Sequence, residues 1–233
     1  MTPIPVLDLK NQQVVHAKQG DRAHYQPIHS PLCPSADIFA VLEAFLSLAD
    51  FDTFYIADLD AITHQGHHDA LLTQVLAAFP QLTFWVDKGH QHAQDLPPYG
   101  NYLPVLGSES YTDGSLSELA AFDGRFVLSL DYSPTGQALG AAGLFAEVQY
   151  WPEDIIIMTL AKVGSDQGPD MARLRAFCDT YPKHRFIAAG GVRNLADLQA
   201  LSALGIKQAL VASALHSGAI GRGDLLSLNT DRT

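Results

Sequence analysis

Residues 185–217, RFIAAGGVRNLADLQALSALGIKQALVASALHS, contain the pattern that decides the fold. Two short apolar runs, 185–191 and 208–214, flank an amphipathic segment, 194–205, that opens at an asparagine and ends at a glycine. An apolar run without alternation indicates a strand covered on both faces, and the middle segment has the spacing and end signals of a helix. The stretch therefore predicts a parallel β–α–β unit.

The same order of apolar run and helical segment extends over the whole chain. The predicted strands lie in the segments 4–9, 54–60, 82–89, 102–108, 125–132, 154–160, 185–191 and 208–214. The predicted helices lie at 36–50, 68–79, 116–122, 169–181 and 194–205. This number of units in 233 residues fits a closed barrel better than an open sheet. We predict an α/β protein with a single (β/α)8 TIM barrel domain over residues 1–233.

The two halves of the chain resemble each other weakly. IPVLDL opens the first half and FVLSLDY the second, and the third and fourth runs can be paired with the seventh and eighth in the same order. Chance similarity of buried strands is the alternative explanation. The pattern indicates an origin by doubling of a half-barrel.

Composition limits the classes of partner. The chain has 25 acidic and 14 basic side chains and a formal net charge of −11, which argues against nucleic acid and anionic membranes. No stretch approaches the ~20 apolar residues of a membrane span, and the start MTPIPVLDLK lacks the features of a signal peptide. Cys33 and Cys178 form no disulfide or metal-ligand pattern. We expect a cytoplasmic protein that binds a small molecule, with no nucleic acid or membrane partner.

Polar residues close most of the predicted strands, which is where a (β/α)8 barrel carries its chemistry. Helix capping can explain a few carboxylates, but not so many at the ends of separate strands. We therefore predict an active-site rim made of Asp8, Asp58, Asp60, Asp87, Lys88, Ser108, Glu109, Asp131 and Lys162.

Glycines and a serine after the last three strands predict a phosphate site. Gly190 and Gly191 let the backbone approach a ligand closely, and Gly164 opens a flexible segment that can close over it. Ala212 and Ser213 open a short helical segment after the eighth strand, where free N–H groups and a hydroxyl suit an anion. Tight turns are the alternative explanation of these glycines.

Asp8 and Asp131 are the pair that we expect to carry the chemistry. The first and fifth strands lie opposite each other in an eight-stranded barrel, so the two carboxyls can flank one substrate. In unequal environments, one carboxyl can hold a proton while the other is ionised, as general acid–base catalysis requires. Solvated or helix-capping aspartates are the alternative. The sequence predicts no cofactor.

Several segments resemble the histidine-biosynthesis barrel family, which includes phosphoribosylformimino aminoimidazole carboxamide ribotide isomerase and imidazole glycerol phosphate synthase cyclase. The matching segments are IPVLDLKNQQVVHAKQGD, FYIADLDAI, FVLSLDYSPTG, GPD, FIAAGGVRN and LVASALHSG, and they span nearly the whole chain. The resemblance implies a (β/α)8 barrel and a substrate with a phosphate at each end. It also implies acid–base roles for Asp8 and Asp131, and a second-half phosphate site at Gly191, Arg193, Ala212 and Ser213.

The first-half phosphate site departs from the family's pattern. The family has a Gly-Gly-Gly loop after the third strand, whereas DKGHQ keeps only Gly89 here. Asp87 would repel a phosphate dianion unless Lys88 and His90 offset its charge. We therefore leave open whether a site made of Lys88, Gly89, His90 and Ser108 works.

Two further departures concern the isomerase reaction. The family's isomerase ends its sixth strand in a threonine followed by an acidic residue, and we expect Met158 and Val163 at those positions. The tryptophan- and arginine-bearing loop of the isomerase is not evident in SPTGQALGAAGLF. We predict a divergent isomerase-like enzyme that acts on a phosphorylated small metabolite and is a poor histidine-pathway isomerase. Its nearest activity is the conversion of an aminoaldose ribotide to an aminoketose.

Three alternatives stay open. Lys88 or Lys162 can form a Schiff base in an aldolase-like lyase if desolvation lowers the pKa, and Lys162 is our third catalytic candidate. The barrel can also be a non-catalytic ligand-binding protein. Histidines crowd the loops after the second and third strands, but their spacing matches no metal signature, so we predict no metal at His64, His67, His68, His90 and His92.

Overall fold

The computed structural model describes residues 1–230, and eight parallel strands close a barrel in it. In chain order the strands are β1 (Thr2–Lys10), β2 (Gln13–His16), β3 (Gln26–Pro27), β4 (Thr53–Asp58), β5 (Thr83–Asp87), β6 (Tyr102–Gly107), β7 (Val127–Tyr132), β8 (Asp154–Thr159), β9 (Arg185–Ala189) and β10 (Gln208–Val211). Strands β1 and β4 to β10 pair in sequence, and β10 pairs with β1 to close the ring. The predicted (β/α)8 barrel and its strands are confirmed. The prediction of one domain over 1–233 extends to residues 231–233, which lie outside the described residues.

Strands β2 and β3 form an antiparallel extension of β1 that the sequence analysis did not identify. The chain reverses at Asn11 and Gln12, which both have positive φ angles of 49° and 62°. Asp60 supports the turn by accepting the Asn11 N–H at 2.8 Å. The extension carries His16 and, beyond it, Arg22 towards the carboxyl ends of the barrel strands.

Helices surround the barrel in the predicted order. They are α1 (Ile38–Leu48), α2 (Leu59–Ile62), α3 (Asp69–Ala78), α4 (Gly143–Ala146), α5 (Met171–Thr180), α6 (Leu195–Ala203), α7 (Ser213–His216) and α8 (Arg222–Thr230). The helix expected at 116–122 is part of a 3-10 helix, Asp113–Phe122, because glycine and two serines in its first turns weaken an α-helix. Within residues 1–230, no helix has both the length and the apolarity needed to cross a membrane.

Alternate residues of each barrel strand face the interior, and this alternation decides which strand-end residues meet. On β8, Ile156 packs in the barrel interior while Ile155 and Ile157 pack against the outer helices, so the whole run is apolar. On β1, Ile4 packs in the interior, and the two-residue period brings Asp8 to the same face at the carboxyl end.

Candidate active site

A cavity partly open to solvent lies at the carboxyl ends of the barrel strands, with about 990 Å³ of empty space including its open mouth. The inward-facing residues that close β1, β5 and β7 line it: Asp8, Asp87 and Asp131. The glycines and the serine that follow β8, β9 and β10 line its other side: Gly164, Gly190, Gly191 and Ser213. The carboxyls and the predicted phosphate-binding residues therefore line the same cavity.

Asp131 is held by a network of hydrogen bonds. Its Oδ1 accepts from the Ser129 hydroxyl at 2.6 Å, and its Oδ2 accepts from the Ser108 hydroxyl at 3.2 Å and the Glu109 N–H at 3.3 Å. Burial and the nearby Glu109 carboxylate raise the pKa of Asp131 to about 7, although the bond from Ser129 opposes this. The carboxyl can therefore exchange a proton near neutral pH from a fixed position.

Asp8 has a different environment. Among residues 1–230, no group donates a hydrogen bond to its side chain, which lines the cavity. Burial raises the pKa of Asp8 to about 7, and the Arg22 guanidinium opposes the shift. Two carboxyls on opposite strands thus titrate in the same range, one anchored by donors and one free to contact a ligand.

Asp87 is a third carboxyl in the cavity. It accepts hydrogen bonds from the Tyr55 hydroxyl at 3.3 Å and from the Gly89 N–H at 3.1 Å. Burial raises the pKa of Asp87 to about 6, while the Gly89 N–H opposes the shift. The sequence analysis placed Asp87 on the rim but gave it no part in the chemistry.

Arg22 and Glu109 form an ion pair that sequence reasoning did not find. Both Arg22 nitrogens Nη1 and Nη2 donate to the Glu109 carboxylate, and both residues line the cavity. The Lys10 ammonium also holds the segment, because it donates to the Arg22 carbonyl at 2.7 Å. Arg22 belongs to no sequence motif. Only the fold, which brings it close to Asp8, identifies it as a residue of the site.

The predicted phosphate glycines adopt backbone conformations that suit their predicted role. Gly190 and Gly191 have φ angles of +95° and +90°, and a Cβ at Gly191 would lie 2.4 Å from the Gly168 carbonyl oxygen. Gly164 has φ +58° and lies against the Ala17 carbonyl, 2.6 Å from where a Cβ would be. Only glycine fits at these three positions.

Ser213 and its neighbours complete this side of the cavity. Within the described residues, the N–H groups of Ser213 and Ala214 donate to no other group, so both are free to bind an anion. The Ser213 hydroxyl lies 3.2 Å from Nε2 of His16. His16 comes from strand β2, which was not predicted, so no sequence pattern placed it beside Ser213.

Arg193 lies at the same edge but is engaged elsewhere. Its guanidinium forms two hydrogen bonds with Asp197, at 2.9 and 2.8 Å, and its N–H donates to the same carboxylate at 2.9 Å. The hydrogen bonds from Arg193 lower the pKa of Asp197. Arg193 therefore fixes the loop after β9, and the predicted contact with phosphate stays a prediction.

The residues of the first-half phosphate site are occupied by other contacts. The Lys88 ammonium pairs with Asp69, and the buried His90 is bonded to the Tyr102 hydroxyl at 2.6 Å. Burial lowers the pKa of His90 to about 4, so its ring is neutral. Ser108 donates to Asp131 rather than to the solvent.

Lys162 and the loop histidines lie apart from this cavity. The Lys162 ammonium donates to the Gln167 side chain at 3.2 Å, so a catalytic role for Lys162 stays a prediction. His68 is buried between Asp58, at 2.8 Å, and Asp60, at 3.3 Å, and accepts the Gln12 N–H. Among the described residues, no three histidine, cysteine or acidic side chains are placed to hold a metal ion.

The two positions that depart from the family's isomerase both lie at the cavity. Strand β8 ends at Thr159, which is buried, so Met158 lies one residue before the strand end and Val163 four residues after it. Met158 and Val163 both line the cavity, and neither side chain can transfer a proton. Their correspondence to the threonine and the acidic residue of the family's isomerase stays a prediction.

The fold and the cavity define the class of protein: a (β/α)8 barrel with ionisable side chains on one side of its carboxyl-end cavity and glycine-rich loops on the other. The sequence pattern of one family, described as histidine biosynthesis protein, matches residues 3–221. The chain belongs to this family.

Curated relatives match between 72% and 97% of the chain. An uncharacterized protein of Methanocaldococcus jannaschii is 26% identical over 97% of this chain and 98% of its own length. A 1-(5-phosphoribosyl)-5-((5-phosphoribosylamino)methylideneamino) imidazole-4-carboxamide isomerase of Lactiplantibacillus plantarum is 28% identical over 95% of this chain and 96% of its own length. An isomerase of the same name from Myxococcus xanthus is 29% identical over 72% of this chain and 76% of its own length. These identities are consistent with a divergent member.

Proposed function

We propose that the protein is a cytoplasmic isomerase-like enzyme that acts on a phosphorylated small metabolite by acid–base catalysis. The observation that carries the proposal is the position of Asp8 and Asp131, which end opposite strands, line one cavity and both have a pKa of about 7. Near neutral pH such a pair spends much of its time with one carboxyl protonated and the other ionised. The names of the relatives support an isomerisation of an aminoaldose.

The reaction needs one proton in and one proton out. The protonated carboxyl donates to the ring oxygen of the aminoaldose, which opens the ring to an imine. The ionised carboxyl removes the proton from the carbon next to the imine, and the resulting enaminol rearranges to the aminoketose. Because Asp8 and Asp131 lie on opposite sides of the cavity, one can donate to the ring oxygen while the other removes the proton from the carbon of the same substrate.

The phosphate is held on the side of Gly191 and Ser213. The free N–H groups of Ser213 and Ala214, the Ser213 hydroxyl and the nearby His16 ring supply donors there. Gly164 and Gly190 let their loops pack closely against the carbonyl groups of Ala17 and Thr159 beside this space. Phosphate or sulfate soaked into crystals should therefore lie near Gly191 and Ser213, and an anion found only at Lys88 and His90 would contradict this placement.

The activity is tested with N-substituted 5-phosphoribosylamines, followed by detection of the ketose product. We expect turnover by the wild-type protein and a loss of roughly 10²-fold or more in Asp8→Asn and in Asp131→Asn. Asp154→Asn, which removes an exposed ion pair with Arg185 at the start of β8, is the control and should keep full activity. Normal turnover in Asp8→Asn would rule out the acid–base pair and favour a lysine-centred mechanism at Lys88 or Lys162.

Met158 and Val163 line the cavity where we expect the proton-handling residues of the family's isomerase, and this argues against efficient catalysis of the relatives' own reaction. The protein should therefore fail to rescue a bacterial strain that lacks the histidine-pathway isomerase. Growth at ordinary expression levels would show that the reaction does not need an acidic residue at that position.

A further inference from the structure

The side of the cavity opposite Ser213 is strongly acidic. Asp8, Asp87 and Asp131 face it from inside the barrel, and Glu109 joins them from the loop after β6. Arg22 is the cation on this side, and Glu109 already neutralises it. Among the described residues, none of the three barrel aspartates is hydrogen-bonded to or ion-paired with a cationic side chain.

Lys88 and His90, the side chains considered for a second phosphate, are engaged elsewhere. The Lys88 ammonium is paired with Asp69, and neither Lys88 nor His90 is among the side chains that line the cavity. His90 is buried and bonded to Tyr102. A phosphate dianion on this side would instead meet Asp87 and Asp131, with repulsion that the low-dielectric interior strengthens.

The same side has the features of a site for an organic cation. Asp8 lines the cavity and receives no hydrogen bond from any residue in 1–230, so its oxygens are free to accept one from a ligand. The aromatic side chains of Tyr25 and Tyr55 line the cavity beside it and are 8% and 3% exposed. Carboxylates together with tyrosine rings are the groups that bind ammonium and amidinium ions in proteins.

We propose that the substrate is a monophosphate whose other end carries a protonated amine or amidine, bound between Asp8, Asp87 and Tyr55. This inference rests on the proposed function, because the phosphate must lie at the Ser213 side for the cation to reach the aspartates. The proposed substrate has one phosphate, whereas the name of the relatives describes a substrate with two phosphoribosyl groups.

The test compares three ligands of matched chain length by calorimetry with the wild-type protein: an alkyl phosphate, an ω-aminoalkyl phosphate and an alkane bisphosphate. We expect the amino compound to bind roughly tenfold or more tightly than the alkyl phosphate, the gain from one charge-assisted hydrogen bond. The bisphosphate should bind no more tightly than the alkyl phosphate. Equal affinity of the amino and alkyl compounds would overturn the proposal. Tighter binding of the bisphosphate than of the alkyl phosphate would also overturn it, because Arg22 would then leave Glu109 to bind the second phosphate.

Variants locate the cation. Asp87→Asn should remove most of the preference for the amino compound while leaving the affinity for the alkyl phosphate unchanged, and Asp154→Asn should keep the preference. An unchanged preference in folded Asp87→Asn would overturn the placement, and the wild-type ligand comparison decides the substrate class even if this variant does not fold. A different result is that Ser213→Ala weakens binding of the alkyl phosphate but the wild-type protein shows no preference for the amino compound. That result would overturn this inference and leave the proposed phosphate site intact. Absence of binding by any phosphate ester overturns the proposed function as well.

Discussion

Asp87 and Asp131 lie on either side of the bare backbone of Gly107. A Cβ on Gly107 would stand 3.3 Å from Asp87 Oδ2 and 3.2 Å from Asp131 Oδ2. The φ angle of Gly107 is −77°, so the position needs a small residue for space and not for its backbone conformation. The glycine thus allows carboxyls from β5 and β7, the two strands that flank β6, to share one side of the cavity.

Gly107→Ala should disturb both carboxyls. The added methyl must displace their oxygens by a few tenths of an ångström, so we expect a loss of about 1–3 kcal/mol in the free energy of unfolding and a clear fall in turnover. Chemical denaturation and the ketose assay measure the two effects. Gly100→Ala is the control, because nothing lies within 4 Å of a Cβ there. Wild-type activity in Gly107→Ala would show that the position of these carboxyls is not critical.

The aspartates of the cavity should titrate far from the ordinary range. In a ¹³C NMR titration of labelled aspartate, we expect the Asp8 and Asp131 carboxyls to titrate near pH 7 and Asp87 near pH 6, because burial disfavours their ionised forms. Asp197 is the internal control, since the hydrogen bonds from Arg193 lower its pKa. Titration of Asp8 and Asp131 near pH 4 would contradict the acid–base proposal.

Asp8→Asn should change stability in a pH-dependent way. The pKa of Asp8 rises from 3.8 to about 7 on folding, so its contribution to stability decreases as pH rises from about 4 to about 7. Because asparagine does not titrate, the variant should match the wild type near pH 4 and melt a few degrees higher at pH 8. Calorimetry at the two pH values measures the difference.

Asp197→Asn gives the opposite sign and serves as the control for Asp8→Asn. The pKa of Asp197 is lower in the folded protein than in the unfolded chain. The Asp197 carboxylate therefore stabilises the fold above the ordinary carboxyl pKa, and this stabilisation is lost as pH falls through the pKa of the folded state. This variant should therefore be less stable than the wild type at pH 8. A pH-independent difference for Asp8→Asn would mean that the carboxyl is solvated in the folded protein.

Gly191→Ala should abolish phosphate binding. Its Cβ would lie 2.4 Å from the Gly168 carbonyl oxygen, so the loop after β8 must move away from the phosphate side. Gly205→Ala is the matched control, because Gly205 has a similar φ of +92° but nothing within 4 Å. Calorimetry with inorganic phosphate should show lost binding in the first variant and normal binding in the second. Equal phosphate affinity in both variants would contradict the site.

His16→Ala and Arg193→Ala should differ in their effects. His16 lies 3.2 Å from the Ser213 hydroxyl, so its removal should lower phosphate affinity several-fold with little change in melting temperature. Arg193 is bonded to Asp197, so its removal should mainly lower the melting temperature. The reverse pattern would place the phosphate on Arg193, as the family resemblance predicts.

The barrel and most of the cavity could be predicted from the sequence, because both depend on local patterns. Continuous apolar runs define the strands, and the two-residue period of a strand brings Asp8 and Asp131 to the interior once the barrel closes. Gly191 and Ser213 follow strands directly, so their position on the rim follows from the strand ends.

Only the tertiary structure decided how the charges of the site are paired. Arg22 and Glu109 are 87 residues apart in the chain, and His16 and Ser213 are 197 apart. Such contacts depend on the path of loops such as the β2–β3 extension, and no local propensity or periodicity encodes that path. The sequence thus determined which side chains reach the rim of the barrel, while the packing of the loops determined which carboxyls remain unpaired for a ligand.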